Sequence, residues 1–213
     1  MARHLDRESY HRCAFTVASL AVGLAGSGED LTGKERARYI KVSVSLPASI
    51  LVGVTGKTVY IKVRGKGSFQ NSPALKEFAR QMFERGQRIF IFDLAECPVM
   101  DSTFMGTLAG MALRLRESSG ALLVRNVNER NCELLRNLGL NNLFEIEPIS
   151  ELAGRDVDGQ SPLETDSSIS RSEHAACMIE AHEALVDADP ENLARFKDVL
   201  EYLRQDLRAG AAK

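Results

Sequence analysis

Between residues 49 and 148, short apolar runs alternate with single amphipathic segments, and this alternation constrains the fold more than any other feature. SILVGV and TVYIKV are rich in Val and Ile and flank Thr55-Gly56-Lys57. This pattern predicts a β-hairpin, with Gly56 free to take the positive φ of a tight turn. RIFIFDL and ALLVRNV are continuous apolar runs, typical of strands buried on both faces. A short last strand is predicted around 144–146.

Three helices are predicted between these strands. Pro73 suits the first position of one helix, with Ser72 or Asn71 as its cap, and the other two cover roughly 103–118 and 128–138. Strands separated by single helices pair in parallel through right-handed crossovers. The order β-β-α-β-α-β-α-β therefore predicts an α/β fold, a small and mostly parallel mixed β-sheet covered by helices. The opening hairpin supplies one antiparallel edge.

The chain outside this unit has a different composition. Residues 1–45 are predicted to be a poorly structured extension or an over-called translation start. Their apolar run CAFTVASLAVGLAG also resembles the core of a secretory signal. The α/β domain is placed at 46–148, a linker rich in Ser, Asp and Gly at 149–171, and a C-terminal helical hairpin at 172–209. The apolar stripes of this hairpin need a partner, which could be the domain, each other or the same helices in a homodimer.

Composition argues against several function classes. The net charge is −2 and basic residues are spread along the chain, so no nucleic-acid partner is expected. The four cysteines form no CxxC pair, which indicates free thiols in a reducing, cytoplasmic compartment. No membrane span, metal or cofactor is predicted. His174, Cys177 and His182 lack zinc spacing, and GKGSF lacks the Lys-Ser/Thr ending of a phosphate loop.

The stretch VMDSTFMG carries polar residues at the junction of a strand and a helix. Asp101, Ser102 and Thr103 could cap the helix. Ser102 could be a nucleophile, but a base would have to come from His174 or His182 in the distant C-terminal segment. Ser102 could also accept a phosphate, because a helix N-terminus tolerates negative charge. Residue chemistry alone leaves these alternatives open.

FDLAECPVMDSTFMGTLAG resembles the signature of STAS domains, which occur in bacterial anti-sigma factor antagonists. That signature is an apolar strand ending in Asp-Leu, a short loop, and then Asp-Ser, a small residue, two variable positions and Gly. LLRNLGLNNLFEI resembles the closing helix, Gly-Leu turn and last strand of the family. The resemblance covers roughly residues 49–148, and the predicted element order is also that of the family.

The resemblance implies a regulator that switches partners and catalyses nothing. Ser102 would be phosphorylated by an anti-sigma factor with serine kinase activity, which the unphosphorylated form binds. A PP2C-type phosphatase would restore the serine. Asp101, Thr103 and Gly106 would start the helix and shape the site.

The same resemblance places the partner surface around Ser102. Family members often carry an acidic residue in the loop after the second strand, where this chain has Ser68-Phe69-Gln70-Asn71. The expected partner-binding residues are Ser68, Phe69, Asn71, Phe104, Met105 and Leu108. Of Phe104 and Met105, one is expected to face the core and the other to meet the partner. The alternative function is a non-switching scaffold or a subunit of a stress-signalling or lipid-transport complex.

Overall fold

The computed structural model describes residues 49–149, 159–164 and 169–211. Their strands form a single sheet in the order β5-β4-β3-β2-β1-β6. The strands are β1 (Ser49–Thr55), β2 (Thr58–Arg64), β3 (Ile89–Asp93), β4 (Ala121–Val127), β5 (Glu145–Pro148) and β6 (Ser161–Pro162). Strands β2 to β5 are parallel, and β1 is antiparallel to both of its neighbours. The mostly parallel mixed sheet covered by helices is therefore confirmed.

Five α-helices accompany the sheet in the described ranges. They are α1 (Ser72–Glu84), α2 (Ser102–Glu117), α3 (Glu129–Asn137), α4 (Arg171–Ala188) and α5 (Asn192–Ala211). Helix α2 contacts α1, α4 and β4, and α4 also contacts α5. The C-terminal helices, α4 and α5, therefore fold back onto the domain that holds the Ser102 junction.

The β1–β2 hairpin has the predicted turn. Thr55 pairs with Thr58, which leaves Gly56 and Lys57 at the tip. Gly56 has a φ of +59°, in the left-handed region that favours glycine. This turn sets the register that points the alternate apolar residues of β2 into the core, among them Val59, Ile61 and Val63.

Part of the predicted linker is a strand. Within 149–171, β6 pairs with β1 through Leu51 opposite Pro162 and Val52 opposite Ser161. The Leu163 N–H also donates to the Ile50 carbonyl at 2.7 Å. Two residues are too few for a hydrophobic alternation, so the sequence carries no strand signal here. Strand β6 instead satisfies the open edge of β1, which would otherwise expose backbone donors and acceptors.

Residues 1–45 and their resemblance to a secretory signal lie outside the described residues. Within the described ranges, no helix combines the length and apolar character needed to cross a membrane. Ser43–Lys213 form one compact unit, in which the C-terminal helices are included with the sheet.

Candidate functional site

The site begins where β3 ends. The Asp93 side chain is buried, and its Oδ1 accepts a hydrogen bond from the Ala95 N–H at 3.0 Å. Its Oδ2 lies 3.0 Å from Asn126 Nδ2, which donates to it, and 3.2 Å from an Arg125 guanidinium nitrogen. These contacts compensate the buried carboxylate and fix the direction in which the chain leaves β3 toward Ser102.

Asp101 is the N-cap of α2. Its Oδ1 accepts from the Phe104 N–H at 2.9 Å, and its Oδ2 accepts from the Phe69 N–H at 2.8 Å. Its own N–H donates to the Gly67 carbonyl at 3.0 Å. One carboxylate thus caps the helix and ties the β2–α1 loop to it. Since Asp101 fills the capping role, the Ser102 hydroxyl is available for another contact.

Ser102, the first residue of α2, lies under a side chain from α4. Its Oγ is 3.0 Å from Nε2 of His182, and the other ring nitrogen, Nδ1, is 2.7 Å from the Met178 carbonyl. A carbonyl can only accept, so Nδ1 carries the hydrogen. In the neutral ring, Nε2 then accepts the Ser102 hydroxyl proton. The pair spans 80 positions of sequence.

His182 is held firmly in this place. Only 4% of its surface is exposed, and its ring packs edge-on against Phe196 of α5 at a centroid distance of 4.9 Å. Together with the Met178 carbonyl, both helices of the C-terminal hairpin therefore position the imidazole over Ser102.

Gly106 allows the close approach of α4. A Cβ built on Gly106 would lie 2.2 Å from the Ala181 carbonyl oxygen, which is far inside van der Waals contact. At Gly110, one turn further, a Cβ would meet the Ala184 Cβ at an ordinary 3.6 Å. Thr103, in contrast, faces inward with only 4% of its surface exposed. Its carbonyl accepts a hydrogen bond from the Thr107 hydroxyl at 2.9 Å.

The expectation that either Phe104 or Met105 is free to meet a partner is wrong for this conformation. Phe104 and Leu108 have no exposed surface and Met105 has 5%. The Phe104 ring lies against Gly67, where a Cβ would come within 2.7 Å of it. The reason is that α2 is covered on two sides, because β4 and α1 pack on it as well as α4.

The predicted partner loop, Ser68 to Asn71, does lie beside Asp101 and Ser102. Phe69 is 41% exposed, and its ring is 6.2 Å from that of His174. Asn71 is buried, and its side chain accepts from the Ser68 N–H and donates to the Lys66 carbonyl, both at 2.9 Å. Asn71 therefore shapes the loop, while Phe69 is the member of this group presented to solvent.

The cysteines and histidines of the described residues assemble no metal site. Those residues contain no group of three or more His, Cys, Asp or Glu side chains arranged to hold a metal ion. Cys97, Cys132 and Cys177 are free and buried, and burial raises the pKa of each thiol. At neutral pH these thiols are protonated and poorly reactive.

The sequence analysis did not predict that His182 contacts Ser102. The chain order gives no sign that residue 182 reaches residue 102. The available signal is the composition of α2, whose stretch from Ser102 to Leu113 contains no charged residue. A helix without a polar face is buried on more than one side, which implies a second covering element.

Comparisons with known proteins found similar sequences and folds. The anti-sigma-B factor antagonist of Bacillus subtilis (strain 168) is 27% identical over 93 residues, which are 44% of this chain and 84% of that protein. The anti-sigma factor antagonist SpoIIAA in its unphosphorylated form is 18% identical, with a TM-score of 0.41 over 49% of this chain and 91% of that one. The Bacillus cell fate determinant SpoIIAA in its phosphorylated form is 20% identical, with a TM-score of 0.40 over 46% and 90%.

Residues 49–153 match the sequence model of the STAS domain family. This stretch contains strands β1 to β5, helices α1 to α3 and the Ser102 junction. Residues 49–153 of this chain form a STAS domain.

Proposed function

We propose that this protein is an anti-sigma factor antagonist in a partner-switching pathway. In its unphosphorylated form it binds an anti-sigma factor that has serine kinase activity, and phosphorylation of Ser102 releases that partner. A PP2C-type phosphatase returns Ser102 to the binding form. The protein acts in the cytoplasm by binding and performs no catalysis itself.

The observation that carries this proposal is the position of Ser102. It is the first residue of α2, its hydroxyl is not used for capping, and a cap from Asp101 holds the helix independently of it. A phosphate at a helix N-terminus meets the positive end of the helix dipole, so the modification is compatible with α2. The match of residues 49–153 to the STAS domain and the 27% identity to an anti-sigma-B factor antagonist over 93 residues support the same role.

Phosphorylation at this position changes the charge of the surface that a partner would contact. A phosphate adds about −1.5 to −2 charges near neutral pH, and it would stand next to the Asp101 carboxylate. The exposed Phe69 lies on the adjoining loop and provides an apolar contact. A partner that accepts a neutral Ser102 is therefore repelled, or loses its fit, when the phosphate is present.

The first prediction concerns partner binding. Ser102→Asp should weaken binding of the kinase partner by at least roughly tenfold, because it places a second carboxylate beside Asp101. Ser102→Ala should bind it constitutively. Affinity capture with the two variants, followed by titration of the recovered ATPase-domain protein, measures both effects. Intact-mass analysis of wild-type protein from growing cells should show a species with one phosphate, which Ser102→Ala lacks. The proposal is refuted if wild type, Ser102→Asp and Ser102→Ala capture the partner equally and no phosphate is found.

A serine hydrolase is the function that the Ser102–His182 pair raises as an alternative. The hydroxyl and imidazole have nucleophile-and-base geometry, but Nδ1 is oriented by a backbone carbonyl and the pair is covered by α4. The neighbouring cavity of about 190 Å³ between α1, α2 and α4 starts at Gly106 and is lined by neither Ser102 nor His182. These features favour a binding role for the pair.

A scaffold role is the second candidate, and one observation favours it. Helix α5 exposes Val199 and Tyr202, which lie three positions apart on one side of the helix, with Tyr202 at 66%. Such a face could join two copies of the chain in a homodimer. Size exclusion with light scattering measures the mass of the assembly and separates the two candidates. A scaffold should keep its assembled mass when Ser102 is changed and lose it in Tyr202→Glu.

A further inference from the structure

The hairpin of α4 and α5 covers the same part of α2 to which the proposed partner would bind. Helix α4 meets α2 through Gly106, where the Ala181 backbone leaves no space for a Cβ, and through Gly110 opposite Ala184. His182 completes this contact at Ser102. The covered face therefore runs from the first residue of α2 through two further turns.

Exposed ion pairs join α4 to both α5 and α1. Arg171 of α4 pairs with Asp206 of α5 at 2.9 Å, and Arg204 pairs with Glu183 at 2.6 Å. The ion pair that joins α4 to α1, between Lys76 and Glu180, is about half exposed on both sides, as is the pair between Arg204 and Glu183. Exposed pairs contribute little to stability, so this link does not prevent separation of the hairpin from the domain.

A phosphate on Ser102 would replace the hydroxyl proton that His182 Nε2 accepts while the hairpin is seated. The Ser102 Oγ and His182 Nε2 are at hydrogen-bond distance, 3.0 Å, and no group fits between them. His182 cannot step aside alone, because the Met178 carbonyl and the Phe196 ring hold it and only 4% of it is exposed. To accommodate a phosphoryl group, α4 itself must shift.

We propose that the α4–α5 hairpin is an intramolecular cover of the Ser102 surface, which competes with the protein partner for this face of α2 and is displaced by a phosphate on Ser102. This inference rests on the proposed function for the identity of the partner. It adds that the unmodified chain alternates between a closed form, with His182 on Ser102, and an open form that a kinase can use.

Cys177 provides a native reporter of the two forms. It lies on α4, lines the cavity beside Gly106, and is only 6% exposed in the closed form. Cys97 and Cys132 are buried in the STAS domain, where their thiols donate to the Val99 and Val127 carbonyls, so we expect both to stay buried when the hairpin moves. Their alkylation rates therefore serve as controls within the same molecule.

The test uses the full chain with phosphoserine incorporated genetically at position 102. Iodoacetamide labelling is followed at each cysteine by peptide mass spectrometry. We expect the Cys177 rate to rise by roughly tenfold or more over wild type, with the Cys97 rate unchanged, since opening exposes only the α4 thiol. Ser102→Ala, which removes the hydrogen bond without adding volume or charge, should change the Cys177 rate far less. An unchanged Cys177 rate in the phosphoserine protein overturns the proposal.

A second measurement does not depend on native thiol reactivity. In the double variant Gly110→Cys/Ala184→Cys the two Cβ atoms would lie about 3.6 Å apart, within the range for a disulfide. Mild oxidation should form this disulfide when Ser102 is unmodified. When position 102 is phosphoserine, the disulfide should form more slowly, by at least roughly tenfold. Equal rates, or no disulfide in either form, contradict the cover.

Both measurements need neither a kinase nor an anti-sigma factor. The hairpin measurements can therefore fail while the partner-binding results for Ser102→Asp and Ser102→Ala still hold. Equally, the partner-binding results can fail while the hairpin measurements succeed.

Discussion

Asp101 and Ser102 are adjacent, but the structure gives them separate roles. Asp101 bonds to the Phe104 N–H and the Phe69 N–H, so it fixes the start of α2 and the loop beside it. Ser102 bonds to His182, on an element far along the chain. Chemistry at Ser102 can therefore change the contact with α4 without removing the cap that holds α2.

The second prediction tests this separation. Asp101→Ala should lower the free energy of unfolding by about 1–2 kcal/mol, because the cap and the bond to the Phe69 N–H are both lost. Asp101→Asn should recover part of that loss, since its one side-chain oxygen can still cap the Phe104 N–H but its Nδ2 cannot accept from the Phe69 N–H. Urea unfolding followed by circular dichroism gives both values. Equal losses for Ala and Asn would mean that the cap on the Phe104 N–H does not stabilise the junction.

Helix α2 explains why the expected partner contacts were placed too far inward. The sequence analysis treated Phe104, Met105 and Leu108 as residues flanking an exposed serine. A helix with only one covering layer would leave one of Phe104 and Met105 free, but α2 has the sheet and α4 around it. The uncharged stretch from Ser102 to Leu113 is consistent with a helix covered on several sides.

The third prediction uses the two glycines of α2 as a matched pair. Replacing either by Ala should favour the helix by about 1 kcal/mol. At Gly106 the new Cβ would clash with the Ala181 carbonyl, whereas at Gly110 it would only touch the Ala184 Cβ. Gly106→Ala should therefore lift α4, seen as faster amide hydrogen exchange across Arg171–Ala188, and Gly110→Ala should not. Equally slow exchange in both variants would show that α4 is not seated as closely as the structure has it.

The molecule as a whole is organised by the return of its C-terminal helices. Leu185 of α4 is fully buried in the main core, and Asn192, at the start of α5, is 1% exposed. The Asn192 Nδ2 donates to the Leu138 carbonyl at 3.1 Å and to the Leu185 carbonyl at 2.8 Å. One amide thus connects the end of α3, the end of α4 and the beginning of α5.

The fourth prediction concerns this connection. Asn192→Ala should destabilise the fold by about 1–3 kcal/mol, because the Leu138 carbonyl loses its Asn192 donor, whereas the Leu185 carbonyl still accepts from the Asp189 N–H. It should also speed exchange in α4. Asn141→Ala, at an exposed position, should change stability by less than about 0.5 kcal/mol. Thermal and urea unfolding measure both variants, and a neutral Asn192→Ala would show that the hairpin is held in place without this residue.

Local patterns by themselves determined the secondary structure and the sheet class. The β1–β2 turn at Gly56, the strands ending at Asp93 and Val127 and the helix after Pro73 all follow from short-range signals, because turn chemistry and hydrophobic period act over a few residues. The junction at Ser102 was identified for the same reason. Strand β6 was missed, since two residues show no period and its formation depends on the open edge of β1.

Only the tertiary structure decided what stands over Ser102. The sequence provides two amphipathic helices and leaves open whether they cover the domain, each other or a second chain, because an apolar stripe specifies burial but not its partner. Packing resolves this choice through shape: Gly106 admits the Ala181 backbone, and the same approach brings His182 to Ser102. Such a fit joins residues 80 positions apart, and no local pattern records it.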